Sequence, residues 1–122
     1  MNQLNAKYDL EERTAKFAET VISFLRKLSP TIINKRIIDQ LVGSAGSIGA
    51  NYCEAIEGES RKDFAHKIGI AKKEIKETKH WLRLLAVAEP EQKDKIRRLW
   101  SEANQLLLIF SKIFRSARVN KN

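Results

Sequence analysis

Three observations predict an all-α fold, an up-down-up-down antiparallel four-helix bundle. Four long segments return their apolar residues at steps of three and four. The links between them are a few residues long and carry Pro, Gly or Ser, which makes consecutive helices antiparallel neighbours. No stretch alternates apolar and polar residues for long enough to form a strand. The 122 residues form one domain, 1–122, long enough for a real core, with helices over about 9–28, 34–57, 60–88 and 91–117.

The first helix follows a lead-in, residues 1–8, that carries little pattern. Asp9 is placed to cap it, with Glu12 three residues on as in a capping box. Leu10, Thr14, Phe17, Val21, Leu25 and Leu28 mark the buried face, and Pro30 ends the helix. The second helix starts between Thr31 and Ile37 and stops at Gly58. Ile37, Leu41, Ile48, Tyr52 and Ala55 share one stripe. Opposite them lie Gly43, Gly46, Ala50, Glu54 and Glu57, and Gly49 continues the three-residue recurrence of glycine. Each glycine costs a helix interior about 1 kcal/mol relative to alanine, so three imply that another backbone approaches closely. Tight packing inside the bundle is preferred over a ligand groove. A phosphate-cradling loop would need a preceding strand and a following Gly-Lys-Ser/Thr, and neither is present.

Ser60 is placed to cap the third helix, with Asp63 in the first turn to answer the helix dipole. Phe64, Ile68, Ala71, Ile75, Thr78, Leu82 and Leu85 form its core stripe. Glu89-Pro90-Glu91 opens the fourth helix, whose buried face is expected at Ile96, Leu99, Trp100, Ala103, Leu107, Phe110 and Phe114.

Lys and Arg total 23 against 15 acidic residues, a net charge of +8, which favours polyanions or an acidic protein as partners. The lone Cys53 permits no internal disulfide, and no segment has the apolar run of a signal peptide or a membrane span. A soluble, cytoplasmic protein without a membrane role is expected.

Two helix surfaces exceed what one bundle core needs. On the third helix, Ile70, Glu74, Glu77, Trp81 and Leu84 form a strip away from the core stripe. On the fourth, Leu106 to Phe110 is apolar almost all round, so Leu108 and Ile109 cannot both face the core that holds Leu107. Ile70, Trp81, Leu84, Leu108 and Ile109 are therefore the expected oligomer contacts. A separate basic stripe, Lys72, Lys76, Lys79 and Arg83 with Lys73 and His80 alongside, would track phosphates with little sequence discrimination. The plainer reading is a solvated face partly neutralised by Glu74 and Glu77.

Catalytic and metal readings are weak. Glu77-Thr78-Lys79-His80 has the Glu-x-x-His spacing of di-metal bundles, but the other acid-x-x-His, Asp63 to His66, is on the same helix. No metal and no cofactor is expected. Cys53 is read as a small packing residue, and Asn51 with Glu54, one turn apart, as a structural polar network in preference to a catalytic pair.

The segments Ser47-Ile48-Gly49-Ala50-Asn51-Tyr52-Cys53-Glu54-Ala55, Glu59-Ser60-Arg61-Lys62-Asp63-Phe64 and Lys73-Glu74-Ile75-Lys76-Glu77-Thr78-Lys79-His80-Trp81-Leu82 carry a family resemblance. From about Asp9 to Ala117 the chain resembles the bacterial four-helix bundle proteins, also called 23S rRNA intervening sequence proteins. A common family form is Ser-Ile-x-x-Asn-Ile-x-Glu-Gly; here Tyr52 stands for the isoleucine and Ala55 for the glycine. The resemblance implies a homo-oligomer, a pentamer being the expected form, and no enzymatic activity is established for the family. The accessory variability proteins of diversity-generating retroelements are similar in fold and form basic pentameric barrels that bind nucleic acid and a reverse transcriptase. The expectation is a non-enzymatic oligomer that binds nucleic acid, RNA above DNA, through Lys72, Lys73, Lys76, Lys79 and Arg83. The alternative is a scaffold for an acidic protein partner with no nucleic-acid role.

Overall fold

A computed structural model describes the backbone of residues 3–119 and the side chains of residues 9–118. It contains four helices, α1 (Gln3–Leu25), α2 (Asn34–Ile56), α3 (Arg61–Ala88) and α4 (Lys93–Val119), with one 3-10 turn, Pro90–Gln92, leading into α4. Cross-helix contacts fix the topology. Thr78 Oγ1 lies 2.9 Å from Ser44 Oγ and Lys67 Nζ lies 2.6 Å from a Glu54 oxygen, so α3 runs back along α2. Lys79 Nζ donates to Asn104 Oδ1 at 2.7 Å, which with Gly69 against Phe114 sets α4 antiparallel to α3. Arg13 closes the circle from α1 to α4 with a fork on the Glu102 carboxylate at 2.8 and 3.0 Å and a third bond to Gln105.

The core follows the helical period. Leu10, Thr14, Phe17, Val21 and Leu25 of α1 meet Leu41, Ala45, Ile48, Tyr52 and Ala55 of α2, and α3 adds Ile68, Ala71, Ile75, Thr78, Leu82 and Leu85. On α4 the buried set is Ile96, Leu99, Ala103, Leu106 and Phe110. This is rotated from the phase expected above: Leu106 is fully buried while Leu107 is only partly so, and Trp100 stays outside the core, 38% exposed. The physical reason is that Trp100 and Phe114 flank the α3–α4 seam, where the ammonium groups of Lys79 and Lys72 lie over their rings.

The helix ends show which local signals prevailed. α1 starts at Gln3, so Asp9 and Glu12 sit inside a helix and not at its cap. Thr31 and Asn34 form the reciprocal box at the start of α2: Thr31 N–H donates to Asn34 Oδ1 at 2.8 Å and Asn34 N–H to Thr31 Oγ1 at 3.0 Å. Asn34 is fully buried, and its Nδ2 also donates to Ser29 C=O and, at 2.7 Å, to Glu89. One side chain thereby joins the α1–α2 link to the end of α3. Ser60 caps α3 by accepting from Asp63 N–H at 3.0 Å. Gly58 permits close approach of the two helices it separates: a Cβ there would meet Ala55 C=O at 3.1 Å and Asp63 Cβ at 3.3 Å.

Candidate nucleic-acid interface

The outward face of α3 is a cationic row. Lys62, His66, Lys73, Lys76, His80 and Arg83 follow at steps of four, seven, three, four and three, and all six are exposed. Lys62 and Arg83 are about 32 Å apart along the axis. Of the α3 carboxylates, Asp63 and Glu74 fall on the flank toward α2, the side from which Lys67 reaches Glu54, while the exposed Glu77 borders the row one turn from Lys73. Among the described residues neither Glu74 nor Glu77 is ion-paired to a lysine of the row. Half-burial pushes the Glu74 carboxyl above its ordinary range, with Glu77 pushing the same way and Lys73 opposing.

Two of the expected cations have a different task. Lys79 is held between Asn104 and Trp100, its ammonium 4.4 Å from the ring centroid, and Lys72 lies 4.9 Å from the Phe114 centroid. Both bind α3 to α4. Lys73, Lys76 and Arg83 remain free to meet a phosphate, and Lys62 and His66 extend the row toward the start of the helix.

There the row opens into a cleft of about 660 Å³ between the first turns of α3 and the last turns of α4. Arg61, Lys62, His66, Lys73 and Arg118 line it with Gly69, Ile70 and Phe114, and its lining contains no carboxylate. The Arg118 guanidinium lies 5.4 Å from the Phe114 centroid. Gly69 lets α3 come close to that ring: a Cβ at this position would sit 3.1 Å from Phe114 Cε1.

Residues 6–112 match the family described as 23S rRNA-intervening sequence protein. The chain belongs to that family. A crystal structure of a protein of unknown function from the S23 ribosomal protein family of Bacteroides thetaiotaomicron shares the fold, with a TM-score of 0.77 at 24% identity. The match covers 89% of this chain and 97% of that one. No curated protein matches.

In this intervening-sequence family member the five expected subunit contacts do not form one patch. Ile70, Trp81 and Leu84 lie on the outer flank of α3, with Trp81 toward α2 and its ring against His80 at 5.1 Å between centroids. Leu108 is 63% exposed on the far side of α4, and Ile109 shares the α4 face of Glu102, toward α1, packed against the core. Gly43 and Gly46 correct the sequence reading more sharply. A Cβ on either would meet nothing within 4 Å, and both lie with Val42, Ala50 and Cys53 on the exposed outer face of α2. Only Gly49 serves packing inside the bundle, where its missing Cβ leaves room for Thr14 Oγ1 at 2.9 Å. Cys53 is an exposed free thiol and does not pack.

Asn51 and Glu54 do not form a shared buried network. Asn51 Nδ2 donates to Ser47 C=O of its own helix at 2.8 Å, whereas Glu54 is exposed and paired with Lys67. Among the described residues the buried polar side chains are Thr14, Asn34, Ser44 and Thr78, and the contacts that join helices through them are those of Ser44 with Thr78 and of Asn34 with Glu89. Among the described residues no three His, Cys, Asp or Glu side chains are grouped to hold a metal, and no helix is long and apolar enough to cross a membrane.

Proposed function

We propose that this chain is a non-enzymatic, homo-oligomeric bundle, a pentamer, that binds RNA through the outer face of α3. The cationic row from Lys62 to Arg83, none of whose lysines is ion-paired among the described residues, carries the reading. It presents four full positive charges and two histidines along one line, the arrangement suited to following a phosphate backbone by charge. Lys73, Lys76 and Arg83 contact phosphate directly; Lys72 and Lys79 support them by fixing α3 against α4.

The subunit contact suggested by the geometry is the outer face of α2 with the adjoining flank of α3. The Ser44–Thr78 and Glu54–Lys67 contacts place Trp81 near the level of Leu41, beside the exposed Gly43 and Gly46. Small residues let a second backbone come close, and Trp81 and Leu84 supply apolar area at the edge. Cys53, on the same α2 face, reports the contact: it is buried by assembly and labelled by a maleimide on dissociation.

The test is light scattering on the purified protein, with and without mixed cellular RNA, at low and moderate salt. A pentamer that gains RNA mass at low salt and loses it as salt rises supports the reading. Lys73→Glu with Lys76→Glu abolishes that gain and leaves the oligomer intact. A monomer indifferent to RNA overturns both parts.

A second reading, a scaffold for an acidic protein, has its own observation. The groove between α1 and α4, also about 660 Å³, has Phe17, Phe24 and Leu99 on its floor and Lys16, Lys27, Lys95 and Arg98 around it, though Asp9 and Glu12 sit at one end. An acidic amphipathic helix would suit it. Purification without co-eluting nucleic acid, together with loss of a protein partner on Lys95→Glu with Arg98→Glu, distinguishes it.

A further inference from the structure

We propose that the cleft between the start of α3 and the end of α4 holds one unpaired nucleotide of an RNA strand, its base against Phe114 and Arg118 and the phosphates on either side of it on Lys62 and Lys73. This rests on the RNA-binding reading above and adds what a charged row alone cannot supply, a preference for single strands.

The argument begins with shape. A row of exposed lysines on a convex helix meets duplex and single strand alike, because both present phosphates. A concave site with an aromatic side chain in its wall is different. In a duplex the base faces are stacked on one another, whereas an unpaired base can leave the strand and stack on a protein group. The cleft's volume of about 660 Å³ suits a small ligand, such sites running from roughly 300 to 1,000 Å³.

Its chemistry is equally selective. Five of the lining residues are Arg61, Lys62, His66, Lys73 and Arg118, and no lining carboxylate opposes them. The α1–α4 groove, of similar size, includes Asp9, Glu12 and Glu102, so its field is mixed. Phe114 is only partly buried and its ring is flanked by the Lys72 ammonium and the Arg118 guanidinium. A guanidinium on a phenyl ring forms a layered pair onto which a planar base adds by stacking and cation–π contact. Gly69 keeps the α3 wall of the cleft low beside that ring, since any larger residue would carry a Cβ 3.1 Å from Phe114 Cε1. The cleft also lies at the amino-terminal end of α3, where the helix dipole adds positive potential to that of Lys62 and Lys73.

The experiment is fluorescence anisotropy with a labelled five-nucleotide single-stranded RNA of mixed sequence and with a blunt RNA duplex, at low salt. The proteins are wild type, Phe114→Leu, and Lys76→Glu with Arg83→Glu. Wild type is expected to prefer the single strand. Phe114→Leu keeps an apolar side chain beside Gly69 but removes the stacking face, and is expected to weaken single-strand binding about tenfold without changing duplex binding. The charge variant weakens both. Gly69→Leu provides a second arm that alters no charge: it fills the cleft from α3, and selective loss of single-strand binding is again expected. Equal wild-type affinity for the two RNAs, or variants at Phe114 and Gly69 that leave single-strand binding unchanged, overturns the cleft and leaves the charged row standing. Wild type that binds neither RNA overturns the RNA-binding reading itself.

Discussion

The three glycines of α2 occupy one helix but face two environments, open space at Gly43 and Gly46 and Thr14 at Gly49, so alanine substitutions should separate local propensity from packing. Replacing Gly46 adds a methyl group that meets nothing within 4 Å. The helix gains about 1 kcal/mol from reduced backbone freedom in the unfolded chain. At about 2.1 cal/mol/K per residue, a chain of 122 residues unfolds with an entropy near 0.26 kcal/mol/K, so Gly46→Ala raises Tm by about 4 °C. Gly49→Ala offers the same propensity, but its Cβ would lie 2.9 Å from Thr14 Oγ1. Thr14 is buried, stiff at χ1, and donates to Leu10 C=O at 2.8 Å, so it cannot swing aside without losing that bond. Overpacking costs about 1–3 kcal/mol and the lost bond about 1 kcal/mol, leaving Gly49→Ala some 1–3 kcal/mol less stable than the parent. Thr14→Ala removes the obstructing oxygen, so the double variant recovers part of the loss and the cycle shows coupling between α1 and α2. Thermal melts followed by circular dichroism at two protein concentrations give these values and separate the protomer from any subunit term. If Gly49→Ala stabilises as much as Gly46→Ala, α1 does not pack on α2 at this level and the bundle is wrong there.

Asn34→Ala removes a buried side chain that serves Thr31, Ser29 and Glu89, and is expected to cost about 2–3 kcal/mol in urea unfolding. Glu74→Gln should stabilise the protein at neutral pH. The carboxyl of Glu74 is raised in the fold, so the folded state holds its proton to higher pH than the unfolded chain; its contribution is most favourable below the ordinary value of 4.5 and is lost as pH rises through the folded value. The variant's stability therefore falls less than the parent's between pH 4.5 and neutrality, which urea midpoints across that window measure. Lys79→Ala uncovers Trp100 and leaves Asn104 without its donor, with an expected cost of about 1 kcal/mol and a red shift of the tryptophan emission.

The phases of α1, α2 and α3 are evident in the sequence because their large apolar residues are separated by clear polar intervals. α4 offers no such interval: Leu106 to Ile109 is apolar throughout, and the size of Trp100 argues for a core position that Lys79, its ammonium over the ring, makes unnecessary. Asp9 and Glu12 match a cap, yet nothing between Gln3 and Tyr8 breaks a helix, so the helix continues past them. Glycine spacing identifies a face of α2 but not what stands opposite, and Gly43 and Gly49 differ only in whether α1 is there. The Thr31-x-x-Asn34 pattern was a readable cap signal, obscured by Ile32 and Ile33, which look like the start of a core stripe and are exposed. The cleft was hidden for a related reason. Phe114 keeps the core period, and Arg118 lies past the expected end of the helix, so the pair exists only once α4 is long enough to bring both against α3.

Charge alone makes a single protomer a poor RNA binder. The row offers Lys62, Lys73, Lys76 and Arg83, and if each neutralises one phosphate of a single strand the logarithm of affinity falls with the logarithm of salt by a slope of only about 3. Such binding is largely lost at physiological ionic strength. Repeating the row around an oligomer changes the arithmetic, because each later contact is intramolecular and draws on a high effective concentration. This requires subunits to join through a surface that leaves the row uncovered. The division of α3 meets that condition: Asp63, Glu74 and Trp81 lie toward α2 and its free cations face outward. The same division explains why Lys72 and Lys79 are spent on α4. Anchored there, α3 holds its outer charges at fixed spacing, so that in the proposed oligomer a strand bound to one protomer would meet the next in register.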